Sequence, residues 1–424
     1  MVDVWLPYGK TEACVRIPTR NFLGLIEPAW KSGVPDASAE IKRALKNPIG
    51  SETLGKIVEP NNNIAIVVDD ATRPAPSNIM VPPILEELFQ HGVKKENVTV
   101  IFGCGTHRSV TEEETQKLLG EEIMRQVKVV SHNCRSDDLV HVGKTRTRRT
   151  DVYLNRIFSE ADVKILTGDI CFHYYAGFGG GRKSVLPAVA GEKTIRQNHI
   201  LLLHPQARTG VLEGNPVHED MVEAAKLVNV DFLLNVAING QGEIVKAFAG
   251  DVEKAFNMGV KFVDEMYRVQ VERRADIVVV SPGGYPSDVN LFQAYKGIDN
   301  ALQVVKRGGV IVVLAECPEG HGNQVFHDWM VDCADLKAVE KRMKRRFVLG
   351  GHKAYYLIKA LKKAHLILVS SMPDYYAQAV FKLKTARAVN DALDEAFSIT
   401  KKSARVLAIP YGNFTLPEVR ENRD

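Results

Sequence analysis

Short runs of Val, Ile and Leu with no polar alternation recur along this chain, at 64–70, 98–103, 127–131, 163–168, 232–238, 277–281, 310–315, 366–370 and 406–410. A strand that is apolar on both faces has to be covered on both faces. That is the situation of a parallel sheet whose crossover connections lay helices above and below it. The intervals meet that demand: 80–92, 111–119, 218–227, 252–267, 335–346, 353–362 and 387–401 carry helical patterning, and Thr111 with Glu114 forms a capping box. The expected fold class is therefore α/β, with two domains, each built on a largely parallel sheet flanked by helices. Segments 139–144 and 151–155 read as a hairpin across a basic turn, an antiparallel addition to the sheet. A charged stretch at 269–274 ahead of a fresh strand marks the domain boundary. The reading gives an amino-terminal domain over 1–270 and a carboxy-terminal α/β domain over 275–402. The last segment, 403–424, returns to the first domain, because the termini of such folds often lie close together.

With 424 residues, 45% hydrophobic and 25% charged, the chain has the composition of an ordinary globular protein of two or three domains. The net charge of +4 is small, and the basic run at 341–346 reads as a solvated helix face, so no nucleic-acid partner is expected. No segment approaches the roughly 20 apolar residues needed to cross a bilayer, and no membrane partner is expected. The six cysteines include no Cys-x-x-Cys pair and no charged-then-apolar leader opens the chain, which fits a cytoplasmic location.

Loops after strands in a parallel sheet gather at one edge, where ligands bind. Three of them are polar here: Asp69-Asp70-Ala71-Thr72-Arg73-Pro74, Gly103-Cys104-Gly105-Thr106-His107-Arg108, and the segment from Gly168 through His173. Asp70 and Thr72 offer acceptors for ribose hydroxyls, and the Arg73 guanidinium suits a phosphate or carboxylate. An alternative for the two acids is capping of the next helix. His107 and His173 can exchange protons near neutral pH and form a candidate acid/base pair, or else are unrelated loop residues. Beyond His173, Gly177, Gly179, Gly180 and Gly181 precede Arg182 and Lys183. Such a glycine cluster allows close approach of backbone N–H groups to an anion, while Lys183 supplies a charge or a nucleophilic amine. The sequence departs from a nucleotide-binding P-loop at Arg182, where the template needs glycine. His199 is a candidate neutral-imidazole ligand for nickel or zinc, or a structural residue. Gln293 and Lys296 share a helical face and are placed to reach a carboxylate from the opposite wall of an interdomain cleft, or form an exposed helix start.

Taken together these motifs resemble the LarA-type nickel-dependent lactate racemases and related 2-hydroxyacid racemases, over both halves of the chain and in the same order. The resemblance is carried by the 69–74, 103–108 and 176–183 segments, by His173, by Asn198-His199, and by Gln293 with Lys296. It implies a cofactor of nickel held in pyridinium-3,5-bisthiocarboxylic acid mononucleotide, a nickel-pincer nucleotide attached covalently to Lys183. In the same way it implies that His199 is the metal ligand, that Asp70, Thr72, Arg73, Gly179 and Gly180 lie against the cofactor, and that Arg73, Gln293 and Lys296 face the substrate. His107 and His173 correspond to the acid/base pair of an isomerase that moves hydride and proton from one face of a 2-hydroxyacid and returns them to the other through a keto acid. Lactate or another short aliphatic 2-hydroxyacid is the expected substrate, with cofactor biosynthesis and insertion proteins as partners. The rival readings are a protein that binds nucleotide or phosphate without a covalent link, and a zinc-dependent hydrolase using His107, His173 and His199.

Overall fold

The computed structural model describes residues 1–420, which fall into two compact units. One runs from Trp30 to Glu265, and the other joins Met1–Ala29 to the chain from Met266 on. No helix among the described residues is long and apolar enough to cross a membrane.

The Trp30–Glu265 unit is built on a six-stranded sheet. Its order is Ile244–Gly250, Phe232–Ile238, Val163–Asp169, Ile64–Val68, Val98–Phe102 and Lys128–Ser131. Every pairing is parallel except that of Ile244–Gly250 with Phe232–Ile238. Each residue of Ile64–Val68 and of Val98–Phe102 is buried, as the unbroken apolar runs require of strands covered on both sides. On one face Ile64, Ile66, Val98, Val100, Phe102 and Ile165 pack against Ile41 and Leu45 of the Ala37–Lys46 helix and Met80, Ile84 and Leu88 of the Ser77–Gln90 helix. From Ile64–Val68 the chain moves outward through Val98–Phe102, whereas from Val163–Asp169, on its other side, it moves outward to Phe232–Ile238. The carboxyl ends of these two central strands therefore flank a topological switch point, the place where open α/β sheets leave a crevice for ligands.

The hairpin of Leu139–Lys144 and Asp151–Asn155 forms in the expected antiparallel register, but as a separate two-stranded ribbon. The antiparallel strand of the sheet is Ile244–Gly250, whose edge position the segment from Leu139 does not reach.

The other unit carries a second six-stranded sheet, wholly parallel, in the order Lys384–Ala386, His365–Val369, Val305–Leu314, Ala275–Val280, Val406–Ile409 and Phe22–Leu25. This corrects the expected domain limits. Val406–Ile409 does not return to the first domain, because both its edges are occupied here, by Ala275–Val280 and by Phe22–Leu25. The amino-terminal residues belong here as well: the hairpin of Val2–Tyr8 and Thr11–Ile17 buries Val4, Leu6, Val15 and Ile17 with Ile277, Val310 and Val312. Residues 421–424 of the expected returning segment lie outside the described residues.

Candidate functional site

At the end of Ile64–Val68 the chain turns through Asp69 and Asp70. Asp70 is buried, and its carboxylate is fully engaged: one oxygen accepts from the Thr72 amide at 2.9 Å and the Thr72 hydroxyl at 2.5 Å, and the other meets His107 Nδ1 at 2.6 Å. Burial by itself raises the carboxyl pKa, but the hydrogen bonds from His107 and Thr72 overcome it and hold Asp70 below the ordinary aspartate range. An anionic Asp70 accepts a hydrogen bond from His107 Nδ1, an arrangement that leaves Nε2 as the nitrogen able to exchange a proton. Asp70 and Thr72, expected beside the nucleotide, thus direct their oxygens to each other and to His107.

Asp69 approaches Asp169, the last residue of the neighbouring central strand. Burial and the like charge of Asp169 raise the Asp69 carboxyl, and one oxygen of buried Asp169 has no hydrogen-bond partner. Arg73 lies in the field of these acids. Crowding by protein opposes its charge, but Asp69, Cys171, Asp70 and Asp169 outweigh that and raise its pKa.

The segment after Val163–Asp169 folds back on itself, with Phe172–His173 pairing against Gly177–Phe178. Gly177 stands at φ +76°, and a Cβ there would lie 2.1 Å from the Val211 carbonyl oxygen. The glycines serve this close packing. The amides of Phe178, Gly179, Gly181 and Lys183 donate to Ala176 O, Cys171 O, Asn235 Oδ1 and Gly180 O, at 2.9, 2.7, 2.8 and 3.2 Å. The anion cradle expected from Gly179 and Gly180 is therefore largely filled from within the protein, and the phosphate-loop rival loses most of its donors.

His173 accepts from the Ala176 amide through Nδ1 at 3.3 Å, stacks on Tyr174 at 5.0 Å and meets the edge of Tyr175 at 4.4 Å. The same Tyr175 ring lies 5.3 Å from the ring of His199 and 5.7 Å from Lys183 Nζ. Tyr175 thereby ties together three of the expected residues. Tyr175 lies only two residues beyond His173, but its contacts with Lys183 and His199 leave no mark in the sequence. Burial first, and then the charges of Arg73 and Arg182, lower the Lys183 pKa well below that of an ordinary lysine, which favours the uncharged form of the amine. His199, at the end of the Glu192–His199 helix, is kept neutral chiefly by burial, with its pKa lowered to about 3. Its Nδ1 stands 3.1 Å from Asn198 Oδ1, and the Asn198 amide is anchored by Asp220 at 3.0 Å and Val217 O at 3.1 Å. A neutral, oriented imidazole is a ready ligand for a borderline-soft metal ion. Among the described residues no three His, Cys, Asp or Glu side chains converge to hold a metal, so His107, His173 and His199 do not make a zinc site.

Gln293 and Lys296 sit in the other unit, on the Leu291–Ala301 helix, whose start is capped by Asn290 accepting from the Gln293 amide.

Sequence comparison matches residues 8–210 to the lactate racemase N-terminal domain and residues 270–415 to the lactate racemase C-terminal domain. The chain belongs to the lactate racemase family. It is 36% identical to the lactate racemase of Thermoanaerobacterium thermosaccharolyticum over 97% of this chain and 98% of that one. The lactate racemase of Lactiplantibacillus plantarum is 33% identical over 97% and 99%. The fold matches the solved lactate racemase apoprotein from T. thermosaccharolyticum with a TM-score of 0.91 at 34% identity, covering 99% of this chain and all of that one. A Thermotoga maritima protein shares the fold at a TM-score of 0.67 and 21% identity, over 92% of this chain. The family makes the chain an isomerase, a racemase, and the Tyr175-centred group lies within the matched amino-terminal domain.

Proposed function

We propose that this racemase interconverts the enantiomers of lactate, or of another short aliphatic 2-hydroxyacid, with a nickel-pincer nucleotide joined to Lys183. The observation that carries the reading is the placement of Lys183, whose amine lies 5.7 Å from the Tyr175 ring that also meets the His199 imidazole at 5.3 Å, in surroundings that lower the pKa of both groups. Those are the two protein groups the cofactor needs, a nucleophile for a covalent link and an uncharged nitrogen donor for the metal. When bound, the cofactor would supply the acceptor for the hydride of the substrate Cα.

The chain's own residues supply the rest. His107, held by Asp70, takes or returns the proton of the substrate hydroxyl through Nε2, and His173 is the acid/base group for the other enantiomer. Arg73 binds the carboxylate and opposes negative charge developing next to it, with Gln293 and Lys296 as further carboxylate contacts. The aromatic side chains of Tyr174 and Tyr175 restrict the space beside His173. Delivery of the cofactor requires maturation proteins in a reducing cytoplasm, a setting consistent with free cysteines throughout. The test is incubation of L-lactate with protein co-produced with those maturation proteins, followed by chiral analysis. Conversion toward an equal mixture is the expected outcome, and unchanged L-lactate across short hydroxyacids contradicts the proposal.

A further inference from the structure

Arg182 breaks the phosphate-loop pattern in the sequence, and in the structure it is 2% exposed, next to the residue proposed as the tether. It has no acidic partner among the described residues. Its guanidinium lies over the Phe256 ring at 4.6 Å, donates to Gly180 O at 2.9 Å and Ala176 O at 2.9 Å, and leaves Nε without a partner. A buried cation with an unmet donor is destabilising, and an apolar side chain of similar length stacked on Phe256 would avoid that penalty. Nor do the two carbonyls depend on the arginine for satisfaction, since Ala176 O also accepts from the Phe178 amide and Gly180 O from the Lys183 amide. Stability therefore does not explain the residue. Its two contacts do: Ala176 and Gly180 bracket the glycine turn, and the amide of the same Ala176 donates to His173 Nδ1.

We infer that Arg182 is a positioning residue for racemisation, clamping Ala176 and Gly180 so that the Ala176 amide holds the His173 ring in one orientation while the same turn presents Lys183. The inference rests on the reading of His173 as an acid/base group. Loss of the clamp would let the turn relax by a fraction of an ångström, a displacement that degrades proton transfer without altering which residues are present.

The test pairs Arg182→Met with Arg182→Ala. In cofactor-loaded protein, Arg182→Met is expected to lower kcat by roughly 10- to 100-fold with KM changed by less than about 2-fold and the melting temperature within a few degrees of wild type. In the cofactor-free protein, amide hydrogen exchange over 172–178 should accelerate. Arg182→Ala should regain much of its kcat on addition of guanidinium ion, which can enter through the cavity of about 260 Å³ lined by Arg182, His218, Phe256 and the exposed Lys226 and Asn257. Wild-type kcat in both variants, or a loss of rate that guanidinium does not restore, overturns the inference. Should Arg182→Met fail to fold, Arg182→Lys, which keeps the charge but reaches one carbonyl, is read in the same way, and unchanged exchange and kcat there are equally fatal. A wild-type protein that racemises nothing would sink the proposed function, whereas the exchange result in cofactor-free protein stands or falls independently.

Discussion

In the proposed reaction the pairing of Asp70 with His107 makes the base depend on a single hydrogen bond. Asp70→Asn keeps the size of the side chain but can offer His107 Nδ1 an amide donor, which favours the wrong tautomer. We expect kcat to fall by about 10²- to 10⁴-fold with little loss of stability, as measured by kinetics and thermal melting of one preparation. His107, His173 and Lys183 were singled out in the sequence by residue type and glycine neighbours, and His199 by residue type alone, their roles following from the family resemblance. The partner of His107 was not, since Asp70 and His107 meet only after two neighbouring strands have paired in register. Buried histidines also set the acid limit of the fold. Burial lowers His132 to about 4, and burial with the charge of Arg182 lowers His218 to about 3, both below the ordinary 6.5. The unfolded chain therefore binds more protons than the folded one between about pH 6.5 and 4, and stability is lost as pH falls through that window, by at most about 1.4 kcal/mol per pH unit for each histidine. Melting temperatures of the cofactor-free protein from pH 8 to pH 5 should be level at first and then decline. A flat curve would contradict the burial assigned to these two side chains.

At the level of elements, the turn that presents His173 and Lys183 is dictated by space. Gly180 adopts φ +80°, and a Cβ would lie 2.8 Å from the Asp169 carbonyl oxygen and 2.9 Å from Asn235 Oδ1. Gly180→Ala should therefore cost about 1–3 kcal/mol and lower the melting temperature by several degrees, where an exposed glycine such as Gly242 would tolerate the change better. The sequence identified these glycines but offered an anion cradle as their reason, because composition does not reveal that a protein carbonyl occupies the space. The central strands were legible for the opposite reason, an apolar run covered on both faces being a local property. The Val2–Tyr8 and Thr11–Ile17 strands escaped notice because each is buried mainly toward one side and shows no continuous run.

Over the whole molecule, the chain begins in one unit, builds the other, and then returns. The charged stretch near residue 270 was visible as a boundary, but which unit receives the first residues depends on a pairing of Phe22–Leu25 with Val406–Ile409 across most of the sequence, and such long-range pairing leaves no local mark. Leu6→Ala tests the assignment. It removes a fully buried side chain from the cluster containing Ile277 and Val310 and should cost about 2–5 kcal/mol. Amide exchange should accelerate in Ala275–Val280 and Val305–Leu314 while Ile64–Val68 and Val98–Phe102 keep their protection, and the reverse pattern would contradict the division. Above both units stands the claim that the amine of Lys183 is a covalent anchor. Peptide-resolved mass spectrometry of racemase-active protein tests it most directly: the account predicts added mass on Lys183 that disappears together with activity in Lys183→Ala, and fully active protein whose Lys183 is unmodified would contradict it.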